Sequence, residues 1–184
     1  FDAINMFRPL FKSPIEPNME DYAVLTLHRP SNVDNTMQLN KIMQALQTIP
    51  LPLIFPIHPR TRKKIESVAN IPSNITLIDP QSYLEMMGLI SGASVVLTDS
   101  GGLQKEAFFL NKRCITIRNT TEWPETISSG SNILALDQDE NIDVEKINAH
   151  INLPDLQVDS FPYGSGNAAE LISTQISHFM QTNN

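Results

Sequence analysis

The sequence predicts an α/β layer architecture with a mostly parallel sheet, on three observations. Short apolar, β-branched runs alternate with helix-periodic segments from Tyr22 onward, and the connections between them are short. The run Ser94-Val95-Val96-Leu97 is short and β-branched, as befits a strand buried on both faces of a parallel sheet.

Taken in order, the strand candidates are Ala23 to Leu27, Pro52 to Ile57, Ile75 to Ile78, Ser94 to Thr98, Arg113 to Ile117 and Asn132 to Leu136. Between the first two, Met37, Leu39, Ile42, Met43, Ala45, Leu46 and Ile49 fall close to one helical face, which predicts a helix over Met37 to Ile49. After the third strand, Asp79-Pro80 reads as the start signal for a helix over Tyr83 to Ile90. A further helix, Ala107-Phe108-Phe109-Leu110 and the residues before it, follows the fourth strand. The turn Tyr163-Gly164-Ser165-Gly166 leads into a C-terminal helix over Asn167 to Met180, expected to pack against the rest. Residues 1–20, with three prolines and scattered Phe, read as a linker or docking segment outside the sheet, leaving 21–184 as one domain.

At 184 residues the chain is long enough for one domain with a real core and short for two. A net charge of −7 without a basic stripe argues against nucleic acid as the main partner, and no apolar stretch approaches the length of a membrane span. The one cysteine, Cys114, sits inside an apolar strand, so a buried reduced thiol is expected, which suits the cytoplasm. The four histidines, at 28, 58, 150 and 178, form no ligand-spaced pair, so no metal site is expected. No P-loop or Gly-x-Gly-x-x-Gly occurs, and neither ATP hydrolysis nor a dinucleotide cofactor is suggested.

Open parallel sheets bind ligands at the carboxyl ends of their strands. Here the residues at those ends are His28-Arg29, His58-Pro59-Arg60, Asp79-Pro80-Gln81, Asp99-Ser100-Gly101-Gly102 and Arg118-Asn119-Thr120-Thr121-Glu122-Trp123. Five polar strand ends in succession point to a polar ligand. Ser100 fits an N-cap, and Gly101-Gly102 would let an anion approach the unpaired N–H groups of the first helical turn. About a turn further in, Glu106 is suited to accept from two adjacent hydroxyls such as a ribose diol. The same residues also suit an ordinary strand-to-helix turn with a solvated Glu, and the other strand ends favour the anion site. His28 beside Arg29 points to an electrostatic or proton-transfer role at phosphate, and Arg118 to a charge-assisted bond with an anion. Arg62 to Lys64 read as a solvated helix face, and Glu122 and Glu125 as helix-start carboxylates that favour the dipole.

Six blocks now carry a resemblance: Leu27-His28-Arg29-Pro30-Ser31-Asn32-Val33-Asp34, Pro56-Ile57-His58-Pro59-Arg60-Thr61-Arg62, Leu77-Ile78-Asp79-Pro80-Gln81-Ser82-Tyr83-Leu84, Leu97 to Glu106, Arg118 to Glu125, and Pro162-Tyr163-Gly164-Ser165-Gly166-Asn167-Ala168-Ala169-Glu170. In that order they closely resemble the non-hydrolysing UDP-N-acetylglucosamine 2-epimerases. The resemblance implies a Rossmann-like parallel sheet flanked by helices, one half of a GT-B type two-domain architecture, and specifically the C-terminal, nucleotide-binding half. It implies that His28 is a catalytic-site histidine near the substrate phosphates and that Gln81 lies at the uridine. It further implies that Ser100, Gly101 and Gly102 form the diphosphate turn, that Glu106 binds ribose and that Arg118 is another substrate contact. Arg29 and His58 fall where some members bind a second UDP-N-acetylglucosamine as an allosteric activator.

The implied reaction inverts C2 of UDP-N-acetylglucosamine by loss of the C2 proton with elimination of UDP, then re-addition with protonation on the other face. The implied partners are a UDP-sugar substrate, the N-terminal domain and possible second copies of the chain in a homodimer. The acidic residues credited with proton transfer belong to that N-terminal domain, so residues 1–184 alone are not expected to epimerise. Three residues depart from the common pattern: Ser31 and Lys105 stand where many members have Glu, and Trp123 where an Arg is common. A hydrolysing epimerase, another GT-B enzyme and a non-catalytic UDP-sugar-binding module are the alternative readings.

Overall fold

A computed structural model describes residues 1–15, 21–66, 71–154, 156 and 162–182. Six parallel strands form one sheet: β1 (Ala23–Thr26), β2 (Leu53–Pro56), β3 (Ile75–Ile78), β4 (Val95–Thr98), β5 (Arg113–Thr116) and β6 (Asn132–Leu134). Their spatial order is β3-β2-β1-β4-β5-β6, with Ala23 opposite Leu53 on one side and Val95 on the other. The chain builds outward from β1 to β3, then returns to place β4 on the free side of β1. That reversal makes β1 and β4 the switch point, where the two following loops diverge and leave a crevice at the carboxyl edge. All six expected strands are present, each within two residues of its expected bounds.

Period-two alternation divides the apolar residues between two cores. Leu25, Phe55, Leu97 and Ile115 face one side with Leu39, Ile42, Met43 and Leu46 of α3 (Thr36–Gln47), Ile65 of α4 (Pro59–Ile65) and Ile147 of α8 (Val144–Ile151). Val24, Ile54, Val96 and Cys114 face the other, with Met87, Leu89 and Ile90 of α5 (Tyr83–Gly92) and Ala107 of α6 (Gly101–Phe109). The helices are α1 (Asp2–Phe7), α2 (Pro30–Val33), α3 (Thr36–Gln47), α4 (Pro59–Ile65), α5 (Tyr83–Gly92), α6 (Gly101–Phe109), α7 (Pro124–Ser128), α8 (Val144–Ile151) and α9 (Ala168–Thr182). Cys114 is fully buried, and that burial pushes its thiol up to about 12, as befits an inert structural cysteine.

Three expectations are corrected or sharpened. Helix α5 starts at Tyr83 as expected and runs two residues further, to Gly92, but its cap is Ser82 rather than Asp79-Pro80: Ser82 accepts from Glu85 N while Glu85 reaches back to Ser82 N, and this capping box satisfies two donors that a bare Asp-Pro turn would leave open. The first residues carry a helix of their own and pack against the second core. Ile4 is buried, Phe1, Phe11 and Ile15 pack beside it, and Lys12 crosses α5 at Gly88 so closely that only hydrogen fits between them. Residues 16–20 of that segment lie outside the described residues. Helix α9 does not pack as expected: none of its residues is buried, and Leu171, Ile172, Ile176, Phe179 and Met180 are exposed, because the domain offers no surface opposite the apolar stripe. Its first turn is held by Asp2, which accepts from Ala169 N at 2.6 Å. Among the described residues no helix is long and apolar enough to cross a membrane.

Candidate functional site

At the switch point one fully buried carboxylate ties the two loops together. Asp99, directly after β4, accepts from the backbone N–H of His28 at 3.1 Å and of Arg29 at 2.9 Å, and from Asn32 Nδ2 at 3.1 Å. Its Oδ1 also lies 2.8 Å from His28 Nδ1. The buried Asn32 bonds on to the Ile117 carbonyl, so one Asp-Asn pair fixes the loops after β1, β4 and β5. The consequence for chemistry lies in the histidine. A carboxylate at Nδ1 holds a neutral ring in the Nδ1–H tautomer and leaves Nε2 as the outward-facing nitrogen. The His28 side chain is 57% exposed, so that nitrogen is available to a ligand.

Helix α6 begins where the sequence places it. Ser100 is its N-cap, accepting from Leu103 N, while Ser100 N is itself held by Thr98 Oγ1 at 2.9 Å. Gly101 and Gly102 are its first two residues, with N–H groups that no intrahelical carbonyl can reach. A Cβ at Gly102 would meet nothing closer than Ser100 Oγ at 3.8 Å, which leaves the backbone approachable. The fully buried Gln104 pins this turn, donating to the Ser100 carbonyl and accepting from Thr121 Oγ1. Glu106 is half-buried with no hydrogen-bond donor on its side chain among the described residues, and burial raises its pKa from its ordinary value. Tyr83, at the start of α5, feels its charge. A partly desolvated carboxylate without a partner is suited to bind hydroxyls.

Arg118 is not free. Its guanidinium makes a two-pronged pair with Glu122, Nη1 to Oε2 at 2.7 Å and Nη2 to Oε1 at 2.8 Å. Those bonds hold Glu122 down to about 2. Glu122 is therefore no helix cap, because the guanidinium attracts its carboxylate more strongly than the first turn of α7 does. Glu125 does lie in that turn and accepts from Tyr163 Oη at 2.9 Å.

The remaining expected residues are dispersed. Gln81 donates to the Asp79 carbonyl at the end of β3. His58 is the N-cap of α4, its Nδ1 accepting from Arg60 N, while Arg29 is drawn into the Asp99 cluster through a bond from Nε to the Asp99 carbonyl. Among the described residues no hydrogen bond or ion pair joins Arg29 to His58. On α4, Arg60 and Lys64 pair with Asp34, and Arg62 with Asp79, as an exposed charged face. Two of the unusual residues meet: the Lys105 ammonium lies 4.2 Å from the centroid of Trp123, whose Nε1 donates to the Gly101 carbonyl at 2.8 Å. Asp99 and Glu122 carried a sequence signal, their place among the polar strand ends, but not the partners they take here; Asn32 and Gln104 carried none as site residues.

The strand order and helical layers define a Rossmann-like half of a GT-B type architecture. The heptosyltransferase WaaC of E. coli shares that fold alone, at TM-score 0.53 and 14% identity over 75% of this chain and 44% of that one. More narrowly, the chain belongs to the UDP-N-acetylglucosamine 2-epimerase family, whose profile matches residues 1–177. A UDP-N-acetylglucosamine 2-epimerase of Methanococcus maripaludis is 43% identical over 88% of this chain and 46% of its own length. A UDP-2,3-diacetamido-2,3-dideoxy-D-glucuronate 2-epimerase of Pseudomonas aeruginosa is 39% identical over 94% of this chain and 49% of its own length. The structure of the Methanocaldococcus jannaschii UDP-GlcNAc 2-epimerase in complex with UDP-GlcNAc and UDP superposes with TM-score 0.70 at 33% identity, over 96% of this chain and 48% of that one. The chain thus spans about half the length of the relatives it matches.

Proposed function

We propose that this chain is the C-terminal, UDP-binding half of a UDP-N-acetylglucosamine 2-epimerase, its remaining catalytic groups carried by an N-terminal domain across a cleft. The observation that supports this most is the Asp99 knot, which gathers His28, Arg29 and the start of α6 at the switch point of the sheet. In this reading the N–H groups of Gly101 and Gly102, with Ser100 and Arg118, take the diphosphate. Glu106 takes the ribose diol and Gln81 the uracil. His28, oriented by Asp99, presents Nε2 to the phosphates.

A base from the other domain removes the C2 proton, the C2–H electrons form a C1=C2 double bond, and the C1–O bond breaks toward UDP. The unsaturated sugar is then protonated at C2 from the opposite face while UDP re-adds at C1. UDP is both leaving group and nucleophile, so it must be gripped through both steps; the helix N-terminus and Arg118 supply that grip where charge builds on the departing phosphate.

Incubating the chain joined to its N-terminal domain with UDP-N-acetylglucosamine in deuterated water tests this. Deuterium at C2 of a product still attached to UDP is expected; a product without deuterium overturns the reading, and free N-acetylmannosamine assigns a hydrolysing epimerase. The 39% identity with the diacetamido-glucuronate enzyme favours a second reading, the same C2 inversion on a UDP-linked uronate. Offering both sugars separates the two.

A further inference from the structure

Three positive features converge on one carboxylate above helix α6. Arg118, with its side chain only 11% exposed, points both terminal nitrogens at Glu122, and Arg29 adds Nη2 at 3.4 Å from Glu122 Oε1. The third feature is the start of α6 itself. A Cβ at Gly101 would stand 3.3 Å from Glu122 Oε2, so the carboxylate lies against the first residue of the helix, where anions are favoured. The backbone that carries it is tied on the next residue by the Trp123 indole on the Gly101 carbonyl and by Lys105 over the Trp123 ring. Arg29 is likewise fixed through its Nε on Asp99.

Two of these three, Arg118 and the start of α6, are partners that the proposed function gives to the substrate diphosphate, and Arg29 stands beside them, so two anions compete for the same positive groups. We propose that Glu122 is the internal counter-anion of the phosphate cradle. It holds the Arg118 and Arg29 guanidinium groups in place until a diphosphate takes the same donors, and it must swing aside for that exchange. The proposal rests on the UDP reading. It makes Glu122 a residue that limits affinity for the UDP moiety, and so eases release of the UDP-linked product at the end of a turnover.

The sign of one substitution decides it. Isothermal titration of the 184-residue chain with UDP is carried out on the wild type, E122Q and R118A, with thermal unfolding to confirm that each is folded. E122Q keeps the shape of the side chain and removes its charge, so UDP is expected to bind about two- to fivefold tighter, the upper range of an exposed, well-aligned ion pair no longer in competition. R118A is expected to bind more weakly. If R118A weakens UDP binding while E122Q leaves it unchanged or weaker, Glu122 is a support for Arg118 and the counter-anion proposal is overturned with the UDP site intact. If the wild type does not bind UDP, or R118A binds as well as wild type, the UDP reading falls and the proposal with it. Should E122Q unfold, E122A must show the same tightening.

Discussion

Replacing Asp99 by asparagine keeps the size of the side chain and removes its charge and one acceptor oxygen. Oδ1 now serves His28 Nδ1 at 2.8 Å, and Oδ2 serves Arg29 N at 2.9 Å and Asn32 Nδ2 at 3.1 Å, with His28 N 3.1 Å from each. An asparagine oxygen at the Oδ2 position keeps Arg29 and Asn32 but turns an N–H2 toward His28 Nδ1, where two donors cannot face each other. The ring then has to adopt the Nε2–H tautomer. Bonds to a charged acceptor contribute about 1.5–3 kcal/mol each, and relief of the buried charge returns part of what is lost. The net destabilisation is about 1–3 kcal/mol for D99N, read from the urea unfolding midpoint. Long-range nitrogen–proton correlation spectra are expected to show His28 changing from the Nδ1–H to the Nε2–H form. A loss under about 0.5 kcal/mol together with an unchanged tautomer would refute the assignment of Asp99 as the residue that orders this edge.

Two further outcomes follow from the packing. Gly88→Ala drives a methyl group into the Lys12 backbone, and the backbone has no cheap way to give; amide exchange at Phe11 and Lys12 is expected to speed up by about tenfold or more, even though alanine favours the helix by about 1 kcal/mol, and unchanged exchange would show that residues 1–15 do not depend on that crossing. His150 is buried with its pKa lowered from 6.5, by burial first and by the Arg113 charge second. The unfolded chain takes up a proton on this histidine as pH falls through 6.5 while the folded chain resists, so this contribution to stability is intact above 6.5 and lost progressively below it. The urea midpoint is expected to fall less between about pH 7 and about pH 5 in His150→Gln than in wild type, and parallel curves would contradict it.

The strands were legible because each centres on a short apolar run, and a sheet buried on both faces needs little else to declare itself. Ser100 was legible for a similar reason, since a small polar residue before Gly-Gly and an apolar run is a local signature of a helix start. What escaped was set by distance along the chain. Asp99 meets His28 across 71 positions only because β4 returns beside β1, and no local pattern encodes that adjacency. Glu122 looked like a dipole-favoured helix-start residue because its neighbour Pro124 opens α7; the arginine four residues earlier turned it the other way. Helix α9 shows a limit of periodicity, for an apolar stripe says that a helix has a face to cover, not that the cover lies within these residues.

The central claim is that the carboxyl edge between β1 and β4 grips a uridine diphosphate, with the start of α6 and Arg118 on the phosphates and Glu106 on the ribose. Titration calorimetry of the folded chain with UDP, repeated on Glu106→Ala and Arg118→Ala, tests it most directly. Saturable binding by the wild type, weakened about tenfold or more by each substitution as a lost charge-assisted contact demands, is the predicted result. No binding, or affinity unmoved by either change, would contradict it.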